Sequence, residues 1–159
     1  MILIALGSNL PSRAGTPADT LRAALAELAR SSIKIVAVSA FYKTAAWPDP
    51  SDPSFVNAVA RIETQLSPQS LIAWLHDVER SFGRERGVRN APRTLDLDLL
   101  DYDGRIERGP PVLPHPRIAE RGFVLVPLRD VAPDWTHPVG GLTVATLIAA
   151  LPDRPAIAL

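Results

Sequence analysis

The chain has 159 residues, room for one hydrophobic core and one site, and it shows no internal repeat or low-complexity tract. Seventeen basic side chains balance seventeen acidic ones, which excludes a general electrostatic grip on nucleic acid or an anionic membrane and makes any anion site local. Cysteine is absent, so disulfides, thiolate nucleophiles and cysteine-held zinc are excluded. With no signal-peptide pattern and no segment apolar enough to span a bilayer, the cytoplasm is the expected location.

Ile2 to Leu6 is a short apolar run stopped by Gly7, Ser8 and Asn9, the pattern of a buried strand entering a turn. Thr16, Pro17 and Asp19 supply a helix cap, a first-turn proline and an acid at the positive helix end. Leu21, Leu25 and Leu28 follow at helical spacing, so a helix is predicted from about Pro17 to Arg30. Ile33 to Tyr42 and Phe55 to Glu63 are β-rich, and the loop between them is laden with proline, aspartate and serine. They are expected to be neighbouring antiparallel strands. Ser67 and Pro68 repeat the cap-plus-proline signal before Leu71, Leu75, Val78 and Phe82, which keep one helix face apolar.

Thr94 to Tyr102 reads as a further strand, giving the order β-α-β-β-α-β. That is the order of a ferredoxin-like α+β sandwich: an antiparallel sheet with both helices on one face and the other face free for a ligand. Beyond Gly104 the chain is proline-rich, with short pieces around Arg121 to Val131 and Thr143 to Leu151. A C-terminal extension of loops, an extra short strand and a small capping helix is expected there, within a single domain over 1–159.

In LDLDLLDYD, strand alternation puts Asp96 and Asp98 on one face, their Cα atoms roughly 7 Å apart, with Leu95, Leu97 and Leu99 on the other. Two carboxylates on one face of a central strand repel, and a divalent cation would cancel the repulsion. An all-oxygen set suits magnesium better than zinc. The plainer reading is that arginines neutralise them on a solvated face. Five arginines (Arg80, Arg84, Arg86, Arg89 and Arg93) crowd the segment just before the pair, interrupted by a single acid, Glu85. Gly83, Gly87, Asn90 and Pro92 mark that segment as a loop able to act as a lid. Carboxylates for magnesium beside guanidinium groups are what a polyphosphate needs, although surface charges on a loop would look the same. Phe55 and Asn57 share a strand face on which a flat heterocycle could stack and bond, although a lone Phe is more often core. His115, between two prolines, reads as a rigid-loop hydrogen bonder.

ALGSNL, FYKTAAW with DPSFVNAVARIET, GRERGVRNAPRTLDLDLLDYDG and LPHPRIAERGFVLVPL occur in that order from about Leu3 to Trp135. Together they resemble the 6-hydroxymethyl-7,8-dihydropterin pyrophosphokinase family of folate biosynthesis; PRTLDLDLL with PHPR and RGFVLVPL carries most of the likeness. The resemblance implies diphosphate transfer from ATP to the pterin's hydroxymethyl group, with AMP leaving. It implies that Asp96 and Asp98 hold two magnesium ions and that Arg84 and Arg93 assist transfer. By the same likeness Phe55 and Phe123 sandwich the pterin, Asn57 reads its edge, and the segment from Thr44 and Ala45 to Trp47 completes the pocket. His76, Glu79, His115 and Arg121, with Arg84 and Arg93, are implied on the ATP side. The expected partners are small molecules alone, bound by a monomer, with neither nucleic acid nor membrane. Some positions depart from the family pattern: Asn90 stands where a Trp is often found in a loop one residue longer, Ala45 and Ala46 replace a common proline pair, Trp47 replaces an aliphatic residue and Pro116 an aromatic.

Overall fold

Strand β1 (Ile2–Ser8) is apolar on both faces, with Ile2, Ile4 and Leu6 in one core cluster and Leu3 in another. Such a strand is stable only between two covering layers, which makes it a central strand. The computed structural model describes residues 1–85, 87, 91–152 and 157–159; Arg86, Arg89 and Asn90 of the expected arginine loop lie outside the described residues. On either side β1 pairs antiparallel with β4 (Phe55–Thr64) and β5 (Asp96–Tyr102). The other edge of β4 carries β2 (Ile33–Val38) and β3 (Tyr42–Thr44) in tandem, and a two-residue strand, β6 (Ile157–Ala158), extends the sheet beyond β3.

Helices α1 (Pro17–Ala29) and α2 (Pro68–Ser81) begin at the caps read from sequence. The Thr16 side chain and the Asp19 carboxylate form a reciprocal capping box, and Ser67 caps α2. Leu21 and Leu28 of α1 and Leu71, Leu75 and Val78 of α2 pack with Leu97 and Leu99 under one sheet face, completing the ferredoxin-like sandwich.

Three features differ from the sequence reading. The single run expected over Ile33 to Tyr42 is split. Ser39 uses both its N–H, on Val59 O at 2.9 Å, and its hydroxyl, accepting from Val59 N–H at 3.0 Å, to end β2. The chain then kinks, and Asp130 accepts from Ala40 N–H at 3.2 Å and from the Tyr42 hydroxyl at 2.8 Å. Second, β5 is an edge strand, not a central one. Glu79 of α2 covers it, accepting from Leu97 N–H at 2.8 Å. Third, the second sheet face is not left free: helices α3 (Gly122–Val131) and α4 (Val144–Ala149) lie on it. FVLVPLRD holds two β-branched valines, Val124 and Val126, and Pro127 in mid-segment, so local propensity argues against a helix. Burial of Val124, Leu125, Leu128 and Val131 against Leu3, Val59 and Leu100 overrides it, at about 2 kcal/mol for each fully buried side chain.

Candidate active site

Antiparallel pairing brings Asn57, Gly7 and Asp96 into one row across β4, β1 and β5, because Gly7 is the register partner of both neighbours. Directly opposed residues project from the same side of a sheet. The amide and the carboxylate therefore point the same way across a position with no side chain. A Cβ at Gly7 would lie 3.0 Å from Asn57 Oδ1 and 3.9 Å from both Asp96 Cβ and Phe55 Cδ1. Gly7 is the bare floor of a cavity of about 610 Å³.

All six residues expected on the pterin side line this cavity: Thr44, Ala45, Trp47, Phe55, Asn57 and Phe123. Asn57 is buried, and its Nδ2 donates to Thr44 Oγ1 at 2.8 Å, which turns Oδ1 toward the floor. Trp47 is 67% exposed and Phe123 36%, so two aromatic surfaces stand uncovered at the mouth, where a flat ligand could bury them. The Arg121 guanidinium sits 5.5 Å from the centre of the Phe123 ring.

The opposite wall is charged. Asp96 lines the cavity and pairs with Arg84 Nη1 through Oδ1 and with Arg93 Nη1 through Oδ2 at 3.2 Å. Asp98, two residues along the same face, has looser partners: Arg121 Nη1 at 3.5 Å and His115 Nε2 at 3.9 Å. Arg84 also donates to Glu79 Oε1 at 2.9 Å and to Leu95 O at 3.1 Å. Partial burial, then the neighbouring Asp96 charge, pushes the Asp98 carboxyl up to about 6 despite the arginines. Burial pushes Glu79 up to about 7, against the pull of the Leu97 N–H and of Arg84. Burial, followed by the charge of Arg121, lowers His115 to about 4, so its ring is neutral near pH 7. Because Nδ1 accepts from Arg117 N–H at 3.1 Å, the neutral ring carries its proton on Nε2 and faces Asp98 as a donor.

Of the residues expected on the ATP side, Arg93 and Arg121 line the cavity directly. Arg84 and His115 are tied to the aspartate pair, and Glu79, 3% exposed, braces Arg84 from beneath. His76 lies on α2 one turn before Glu79 and does not line the cavity. Arg117, Glu120, Leu151 and Pro152 also line it and were missed. Leu151 and Pro152 belong to a tail whose sequence carries no chemistry; Arg117 could have been weighed from PHPR. A second cavity of about 490 Å³ lies at the far end of the sheet, lined by Met1, Arg61, Glu63 and Asp103 among others. There the amino terminus already pairs with Asp103 at 2.5 Å and Glu63 with Lys34 at 2.9 Å, and among the described residues no aromatic ring lines it.

Among the described residues no group of three or more acidic, histidine or cysteine side chains is arranged to hold a metal ion alone. Two hard carboxylates are enough for magnesium, which keeps most of its shell for water and substrate phosphates.

A sandwich with an uncovered aromatic mouth on one side of a bare strand position, and a carboxylate–guanidinium wall on the other, is built as a phosphoryl-transfer enzyme acting on a flat small-molecule acceptor. The family model for 7,8-dihydro-6-hydroxymethylpterin-pyrophosphokinase matches residues 3–133, and the chain belongs to that family. It is similar to proteins named 2-amino-4-hydroxy-6-hydroxymethyldihydropteridine pyrophosphokinase from several bacteria. The one from Synechocystis is 39% identical over 148 residues, covering 92% of this chain and 73% of that one. The one from Methylorubrum extorquens is 40% identical over 150 residues, covering 93% and 91%. Its fold is similar to a crystal structure titled Plasmodium falciparum HPPK-DHPS wild type, with a TM-score of 0.70 at 15% identity, over 93% of this chain and 40% of that one. A structure titled HPPK-DHPS in complex with substrates gives a TM-score of 0.74 at 11% identity, over 99% of this chain and 46% of that one. The chain thus spans less than half of those solved chains, and the likeness to them is one of fold.

Proposed function

We propose that the chain transfers a diphosphate group from ATP to the hydroxymethyl group of 6-hydroxymethyl-7,8-dihydropterin, a step of folate biosynthesis, and releases AMP. The observation that carries this reading is the row Asn57–Gly7–Asp96, which sets a heterocycle-sized recess beside the charged wall with no side chain between them. The pterin ring lies between Phe55 and Phe123, with Trp47 and Ala45 at its rim. Asn57, held by Thr44, reads its amide edge.

Asp96 and Asp98 would hold magnesium, which when bound neutralises and templates the phosphates. The incomplete pairing of Asp98 and its raised carboxyl support this, since a cation would remove the repulsion that the arginines leave. Arg84 and Arg93, already aimed at Asp96, exchange toward the phosphoryl group in flight and stabilise its charge. Arg121 and the Nε2–H of neutral His115 donate to the nucleotide, while Glu79 holds Arg84 in place and His76 stands on the same helix behind it. The acceptor oxygen bonds to the β-phosphorus and gives up its hydroxyl proton to water as the bond from that phosphorus to the bridging oxygen breaks, that oxygen leaving on AMP. The chain works as one domain over 1–159 and as a monomer, with ATP and the pterin as its only partners. No helix among the described residues is long and apolar enough to cross a membrane.

The test is product identity. Incubation with ATP, magnesium and the reduced pterin should yield AMP in proportion to the pterin diphosphate, and no AMP without the pterin. ADP, inorganic phosphate or pterin-independent turnover would defeat the proposal.

A further inference from the structure

Asn9, the residue that follows β1, is 2% exposed, and its polar groups reach two distant segments. Its side-chain Oδ1 accepts from Arg93 N–H at 2.8 Å, and its own N–H donates to Arg93 O at 3.2 Å, where Leu10 N–H also donates at 3.2 Å. Its Nδ2 donates to Pro53 O at 3.0 Å. Arg93 ends the guanidinium loop and pairs with Asp96. Pro53 ends the loop that bears Trp47 and stands two residues before Phe55. Asn9 itself stands two residues beyond the bare floor at Gly7. One primary amide therefore joins the charged wall to the aromatic wall. It is suited to the task because its acceptor and its donor stand on separate atoms, Oδ1 toward one segment and Nδ2 toward the other, whereas a hydroxyl has both on a single oxygen and a carboxylate only accepts.

We infer that Asn9 is a positioning residue for the transfer: a buried clasp that fixes the separation between Arg93 and the acceptor pocket. The inference rests on the pyrophosphokinase reading above. Phosphoryl transfer depends on holding two substrates in line, and small displacements of the groups that hold them are costly. The two halves of the clasp are separable by chemistry. In Asn9→Asp one carboxylate oxygen still accepts from Arg93 N–H, while the other faces Pro53 O and repels it. In Asn9→Ala both side-chain links are lost, so Arg93 N–H has no acceptor there, while the backbone bonds from residues 9 and 10 to Arg93 O remain.

The test combines steady-state kinetics with backbone amide exchange at Arg93, followed by NMR. Asn9→Asp should keep Arg93 exchange and kcat within about twofold of wild type and raise the pterin KM about tenfold, the effect of one lost buried hydrogen bond. Asn9→Ala should speed Arg93 exchange, lower kcat about tenfold and raise the pterin KM as well. A residue that merely stabilised the fold would lower the melting temperature in both variants without splitting kcat from KM. Wild-type pterin KM in Asn9→Asp would overturn the inference even if Asn9→Ala failed to fold, and so would Arg93 exchange at the wild-type rate in a folded Asn9→Ala. Absence of pterin-dependent turnover in wild type itself would instead overturn the underlying reaction; the amide exchange needs no substrate and distinguishes the two failures.

Discussion

Replacing Gly7 by alanine puts one methyl group at the centre of the site. Its Cβ would fall 3.0 Å from Asn57 Oδ1, a few tenths of an ångström inside a comfortable contact. The amide cannot turn away freely, because its Nδ2 is bonded to Thr44 Oγ1 at 2.8 Å and the residue is buried. Overpacking of this kind costs about 1–3 kcal/mol. Against it, alanine has fewer unfolded conformations than glycine, which returns about 0.4–1 kcal/mol. The fold should therefore lose only about 1 kcal/mol. The site should lose more, because the methyl group fills the recess floor and displaces the amide that reads the acceptor. We expect the pterin KM to rise about tenfold, equivalent to about 1.4 kcal/mol. The KM for ATP should stay within about twofold, since the Asp96 Cβ is a further 0.9 Å away, at 3.9 Å. Initial rates with each substrate varied in turn, plus a thermal melt, measure all three quantities. An unchanged pterin KM, or a loss confined to ATP, would refute the idea that Gly7 is the floor of the acceptor recess.

Asp96→Ala and Asp98→Ala should each lower turnover by about a thousandfold or more while the chain stays folded, as checked by circular dichroism; near-wild-type rates would remove the metal assignment. Arg93→Ala should lower kcat about a hundredfold with a smaller rise in the ATP KM, because its contact strengthens as charge develops; an unchanged kcat would make it a bystander. Glu79 keeps its proton up to about pH 7 in the folded chain but loses it near 4.5 when unfolded. Its contribution to stability is therefore full below pH 4.5 and is lost as pH rises to 7. Glu79→Gln keeps an acceptor for Leu97 N–H and removes that titration. Its urea-unfolding free energy relative to wild type should be about 3 kcal/mol more favourable at pH 8 than at pH 4.5, and an equal difference at both pH values would contradict the burial argument.

Much of this site was legible one strand at a time. Period-two alternation along LDLDLL put Asp96 and Asp98 opposite the leucines, and the structure has Leu97 and Leu99 in the core with the aspartates on the other face. The caps at Thr16 and Ser67 were readable because their signals are local. What could not be read is what depends on register between strands. Gly7 looked like a turn residue, and only its double pairing with Asn57 and Asp96 makes it the floor. The edge position of β5 and the split at Ser39 depend likewise on which hydrogen bonds β1, β4 and Asp130 supply. Helix α3 escaped because burial against Leu3 and Val59 outweighs the preferences of its own β-branched residues and Pro127.

The central claim is that two carboxylates on one face of β5 hold a divalent cation that in turn holds a polyphosphate. Isothermal titration of α,β-methylene ATP, whose scissile bridge cannot break, tests it most directly when run with and without magnesium on wild type and on Asp98→Ala. Magnesium should tighten binding to wild type by about tenfold or more and leave the variant's affinity unchanged. An equal gain in both proteins would mean that the ion is not held by this strand, and the account would be wrong.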